Sequence, residues 1–354
     1  MRRTPLMRRS AALVSLATVA ALAINAAPTR ALAQANESPP QSAAPAVADT
    51  APPPPIDEVI VTGEQPGPSL WKVTHGGTNV VWVLGTVGGI PKEVKWRSRQ
   101  VEDVIAHAKA VIFGENVSPN IGLFRGLLLL PAVLKARFNP DKAMLKDIVA
   151  AEQYERWLPA RKKYFKDDQD IERWRPMFIG MRLSEAAAMD AGLNQQASVG
   201  HIVVMAAKKN NVPIRNPEVK IDMPNPKQAI HDFTETPRAK DVECFTTVLD
   251  NLDSDLEKMR SRAAAWAVGD VEAFRKVPAP VSDRVCLDAL TSAPALQGEF
   301  TSVKARVVDT WLWEVTKALE LNDVTLVVIS LDDVLSPTGR LARLRERGYT
   351  IEAP

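Results

Sequence analysis

The chain of 354 residues carries 44 Lys and Arg against 42 Asp and Glu, a formal charge of +2. Five of the arginines fall in the first 33 residues; without that segment 39 basic residues face 42 acidic ones, a balance of −3. A chain this close to neutral gives no bulk electrostatic case for binding nucleic acid, so no nucleic-acid partner is expected.

Residues 1–33 read as a cleavable export signal. Arg2, Arg3, Arg8 and Arg9 make a positive start, residues 11–27 (AALVSLATVAALAINAA) are uncharged and apolar, and Ala31-Leu32-Ala33 offers small residues to a signal peptidase. The apolar run is shorter than the ~20 residues of a membrane-spanning helix, the alternative being a retained anchor. The expected destination is the periplasm or another part of a bacterial cell envelope. Whether export follows the general or the twin-arginine route is left open.

Residues 34–66 form a Pro/Ala-rich linker. A segment of this composition has too little apolar surface to offset its ordering entropy. Near its end, Ile56-Asp57-Glu58-Val59-Ile60-Val61-Thr62-Gly63 is similar to the TonB box of outer-membrane receptors. An extended stretch there could add a strand to a periplasmic partner's sheet, or pair at an edge of this chain's own.

From about residue 67 the composition is globular. Residues 70–74 and 79–84 are strand-like runs on either side of the turn signal His75-Gly76-Gly77, predicting a β-hairpin. Val101, Val104, Ile105 and Ala108 recur at helical spacing within 97–109, and Ala110-Val111-Ile112-Phe113 follows as a buried strand, which completes a βαβ unit. Residues 121–320 are mostly helical, with a strand candidate at 212–215. Ser254 and Glu257 form a capping-box pair that predicts a helix start, with Gly269 as its stop. Residues 324–329 make an apolar β-branched strand. A helix with Ser336 as N-cap and Gly348 beyond its end follows, then a last strand at 349–351. The expectation is an α/β domain over 67–354, its central sheet built from N- and C-terminal strands around a large helical insertion. Outside the cytoplasm, Cys244 and Cys286 can persist as a disulfide; the alternative is two separately buried thiols.

Four runs carry a family resemblance. Residues 70–91 (LWKVTHGGTNVVWVLGTVGGIP), Ala191-Gly192-Leu193-Asn194, Ala265-Trp266-Ala267-Val268-Gly269-Asp270 and residues 325–351 (TLVVISLDDVLSPTGRLARLRERGYTI) resemble, in this order, motifs of the TraB/GumN family, which includes the Tiki-type metalloproteases. The resemblance implies a metal site at the ends of the first and last motifs. Gly88 stands where the family has His, Ser330 and Asp333 where it has Gly and His, and Gly114 where it has Glu, with Glu115 adjacent; Glu218 matches a family Glu. Metal-assisted hydrolysis needs about three protein ligands and an open position for water, with imidazole suited to zinc. His75, His107, His201 and His231 fall outside the motif positions.

Three readings follow. The first is a non-catalytic envelope protein with no cofactor, in a binding or support role. The second is a metal-dependent hydrolase or peptidase with a carboxylate-only site for a harder divalent ion, built from Glu115, Glu218 and Asp333, with Asp332 as a further candidate. The third is an interaction module that docks through residues 56–63. Serine-nucleophile, HExxH, Walker A and dinucleotide motifs are absent by inspection.

Overall fold

A computed structural model describes residues 67–354 apart from 92, 115, 167, 195–198, 224, 236–238 and 293. The export signal, the linker, the TonB-box-like stretch and Glu115 therefore lie outside the described residues.

In chain order the elements are β1 Leu70–Thr74, β2 Val80–Thr86, β3 Ile90–Pro91, α1 Arg99–His107, β4 Ala110–Phe113, β5 Asn116–Pro119 and α2 Leu123–Ala136. There follow α3 Ala151–Tyr164, α4 Pro176–Asp190, β6 Leu193–Asn194, α5 Val199–Lys209, β7 Ile214–Arg215, β8 Glu218–Ile221, α6 Pro226–Glu235 and α7 Ala239–Ala267. The chain closes with α8 Val271–Lys276, α9 Val281–Leu290, α10 Pro294–Leu321, β9 Val324–Ser330, α11 Leu331–Leu335, α12 Arg340–Glu346 and β10 Thr350–Glu352.

The central sheet runs β10-β1-β2-β9-β4-β7. β1 and β2 form the expected antiparallel hairpin, with Leu70 opposite Leu84 and Val73 opposite Val81. β9 returns from the far end of the sequence and lies parallel between β2 and β4. That position explains its uninterrupted apolar run. Helices cover both faces of a central parallel strand, so alternation is lost, and Leu326, Val327, Val328 and Ile329 are all buried. The insertion also supplies one strand to this sheet, β7 at its edge.

The α/β architecture has two main apolar cores. One surrounds the sheet, with Val83, Ile105, Val111, Trp266, Trp311 and Leu326 among its members. The other lies within the insertion, around Leu145, Trp157, Met177, Phe245 and Val248. α7 serves both. At 29 residues it is about 44 Å long. Its first half places Cys244, Phe245 and Val248 in the helical core; its last turns place Ala265, Trp266 and Ala267 in the sheet core. Cys244 is disulfide-bonded to Cys286 of α9, with Cα atoms 4.7 Å apart. Within the insertion, Arg175 and Asp241 form a buried two-pronged ion pair, Nε to Oδ2 at 2.6 Å and Nη2 to Oδ1 at 3.0 Å.

Two expected helix starts are corrected. Ser254 lies inside α7, where its hydroxyl donates to the Asn251 carbonyl instead of capping a new helix. Leu252 and Leu256 pack into the protein on either side of it, so burial carries the helix through the local start signal. Ser336 closes α11 as its C-cap, and the following helix begins four residues later at Arg340. Gly269 and Gly348 end their helices with φ of +71° and +84°, as their positions predict.

Candidate functional site

Open α/β sheets bind ligands beyond the carboxyl ends of their parallel strands, where the chain leaves the sheet in diverging directions. Here β2, β9 and β4 end together. Thr86 is in register with Ser330, and Val328 with Phe113. Ser330 is therefore the last residue of β9, and Gly88, Gly114 and Asp333 follow the ends of β2, β4 and β9. Glu218 belongs to the same edge through the backbone. The Asn116 N–H donates to the Pro217 carbonyl at 2.8 Å, so the exits from β4 and β7 run side by side into the β5–β8 ribbon.

The side chains present are occupied by the fold. Asp333 accepts the backbone N–H of Arg340 at 3.1 Å on Oδ1 and pairs with the Arg340 guanidinium through Oδ2. It is the side-chain cap of α12, reaching back across the Ser336-Pro337-Thr338-Gly339 turn. A Cβ on Gly339 would overlap the Asp333 carbonyl and stand 2.8 Å from its Oδ1, so this close approach requires glycine. Asp332 faces Arg262, 2.5 Å from Nη2. Arg262 also donates to the Val277 carbonyl at 2.6 Å and lies 3.9 Å over the Phe274 ring. Glu218 is half exposed and accepts the Ser118 hydroxyl at 2.5 Å.

Where the family has ligands, space is left. Nothing lies within 4 Å of a Cβ built on Gly88, and a Cβ on Gly114 would meet only the Val328 carbonyl at 4.0 Å. Side chains would fit at both positions; none is present. Among the described residues no group of three or more His, Cys, Asp or Glu side chains is placed to hold a metal ion. The donors seen at the edge, two carboxylates held by arginines and one by a hydroxyl, do not fit an imidazole-based metal site.

The histidines are elsewhere. His75 stacks on Tyr349 with ring centroids 4.4 Å apart, in the turn that enters β2 from the opposite end of the sheet. His107 ends α1, its Nδ1 2.8 Å from the Asp103 carbonyl. His201 and His231 are exposed on α5 and α6.

The motif at 265–270 supports this edge from below. Trp266 Nε1 donates to the Gly85 carbonyl at 2.6 Å, Gly269 turns the chain, and Asp270 caps α8 by accepting the Ala273 N–H at 2.8 Å. A separate surface depression of about 680 Å³, lined in part by Lys72, Trp82, Gln100, Gly269, Glu272 and Glu352, contains none of Gly88, Gly114, Glu218, Ser330, Asp332 and Asp333.

Two residues at the edge escape sequence reading. Arg340, seven positions from Asp333, is a local partner that the Pro-Thr-Gly turn could have suggested. Arg262, 70 positions from Asp332, has no sequence signal at all. Among comparisons with known proteins, the family model described as TraB/PrgY/gumN matches residues 69–353. No curated protein and no solved structure matches the chain.

Proposed function

Because the chain belongs to the TraB/PrgY/gumN family, we propose that it is an exported envelope protein that keeps the family fold and works without catalysis, in a binding or support role. The observation that carries this reading is the pair of replacements at the strand ends. Gly88 offers no ligand where the family has one histidine, and Asp333, in place of the other, is held in the cap of α12. A catalytic metal needs its ligands free and convergent. The arginine-rich start and the small residues at 31–33 support export, and the arm at 56–63 supplies the route by which a periplasmic partner would dock.

The test is turnover. Purified protein incubated with zinc, manganese or calcium should leave peptide and ester substrates uncleaved. Metal-dependent cleavage that disappears in Glu218→Ala would overturn the proposal and establish the carboxylate-only hydrolase in its place.

A further inference from the structure

α2 has a surface that the rest of the described fold does not use. Six of the twelve large hydrophobic residues exposed among the described residues lie between positions 117 and 134. Phe124 is 83% exposed and Leu128 73%. With Leu127, Pro131 and Leu134 they recur at i, i+3, i+4, i+7 and i+10, which is one face of a helix. Among the described side chains of α2, Leu129 and Ala136 on the other side are buried and attach it to the protein.

Charge says what this face suits. Residues 116–140 contain Arg125, Lys135 and Arg137 and no Asp or Glu. The neighbouring α6 carries Lys227 against Asp232 and Glu235, a net of −1, which leaves the +3 of this stretch as a combined balance of +2. At 14 residues α2 is about 21 Å long, short of the ~30 Å hydrocarbon core of a bilayer. No described helix is long and apolar enough to cross a membrane. An apolar helix face with basic side chains near both ends can lie in the plane of a lipid surface, its aliphatic stems extended toward the headgroups.

We propose that α2 is a membrane-surface helix, which lays Phe124, Leu127 and Leu128 into an anionic bilayer while Arg125 and Lys135 meet the lipid phosphates. Apolar burial supplies most of the adhesion and the basic residues select anionic lipid. Membrane contact through α2 does not depend on whether the strand-end site has any activity.

A reporter on the helix tests it in the full chain. Leu128→Cys is labelled with an environment-sensitive fluorophore under non-reducing conditions, with Glu152→Cys on α3 as the control position, and unchanged circular dichroism establishes that each variant is folded. On vesicles of phosphatidylcholine with phosphatidylglycerol, the Leu128 label should shift to the blue and brighten several-fold, while the Glu152 label does not. Arg125→Glu with Lys135→Glu should weaken the response by about tenfold or more. No response on anionic vesicles, or an equal one on pure phosphatidylcholine, overturns the proposal. So does a blue-shifted label before lipid is added. If that shift depends on protein concentration, a second copy covers the face; if it does not, another segment of the same chain covers it.

Discussion

Replacing Asp333 with Ala tests whether this residue belongs to the fold or to a site. In the structure its Oδ1 accepts the Arg340 N–H at 3.1 Å and its Oδ2 pairs with the Arg340 side chain. Loss of a side-chain cap costs about 1 kcal/mol. The ion pair, with side chains only 25% and 14% exposed, brings the expected loss to about 2 kcal/mol. A domain of this size unfolds in urea with a slope of roughly 3 kcal/mol/M or more, so the midpoint should fall by about 0.5 M. Asp333→Asn keeps an acceptor for the N–H and should lose less. Asp333→His should lose as much as Ala and gain no metal, because Gly88 brings no ligand to meet it. An Asp333→Ala midpoint equal to that of the parent protein would mean that the carboxylate is not engaged in the cap, and the reasoning would fail.

Other parts of the fold give independent tests. Reducing the Cys244–Cys286 disulfide opens a 42-residue separation and should cost up to about 4 kcal/mol on the chain-entropy model. A scan with and without reductant should lower the melting temperature by roughly 5–10 °C, and an unchanged value would refute the pairing. Gly85→Ala would put a Cβ 2.7 Å from Leu331 Cδ1 and 3.2 Å from its Cα, so α11 must shift away from β2; about 1–3 kcal/mol should be lost by urea titration. Full stability would show that this contact yields freely. Asp255 gives the pH dependence. Burial pushes its carboxyl up, but hydrogen bonds from Lys258, the Ser282 hydroxyl and the Ser282 and Val281 N–H groups outweigh this and leave it below its ordinary value. A depressed folded-state pKa contributes stability above the ordinary carboxylate range and loses it as pH falls through the folded value. Asp255→Asn should therefore be less stable at neutral pH and decline less steeply in acid; an acid limb identical to the parent's would contradict this. The neighbouring Asp283 opposes the trend, since burial, then the Asp255 charge, raises its pKa.

What the sequence carried was local. The hairpin and α1 follow from turn chemistry and helical spacing, and β4 and β9 from short unbroken apolar runs whose length and β-branched residues mark buried strands. The βαβ unit is real in outline, but β9 sits between its two strands, a placement that no local pattern encodes. The capping signals at Ser254 and Ser336 failed for one reason: a hydroxyl in the right spacing is worth about 1 kcal/mol, less than the apolar burial that carries α7 onward or that sets where α12 meets the protein. Side chains that join distant segments, such as Arg175 with Asp241 and Arg262 with Asp332, were not legible at all. At the strand ends the positions of Gly88, Gly114, Ser330 and Asp333 were readable from motif order, whereas the cap held by Asp333 needed the turn geometry.

The most direct test of the central claim is the metal content of the purified protein after incubation with zinc, manganese and calcium and removal of free ion. Elemental analysis should find no stoichiometric metal. One ion per chain, lost in Glu218→Ala or Asp333→Ala, would contradict the account and place a working metal centre at the strand ends.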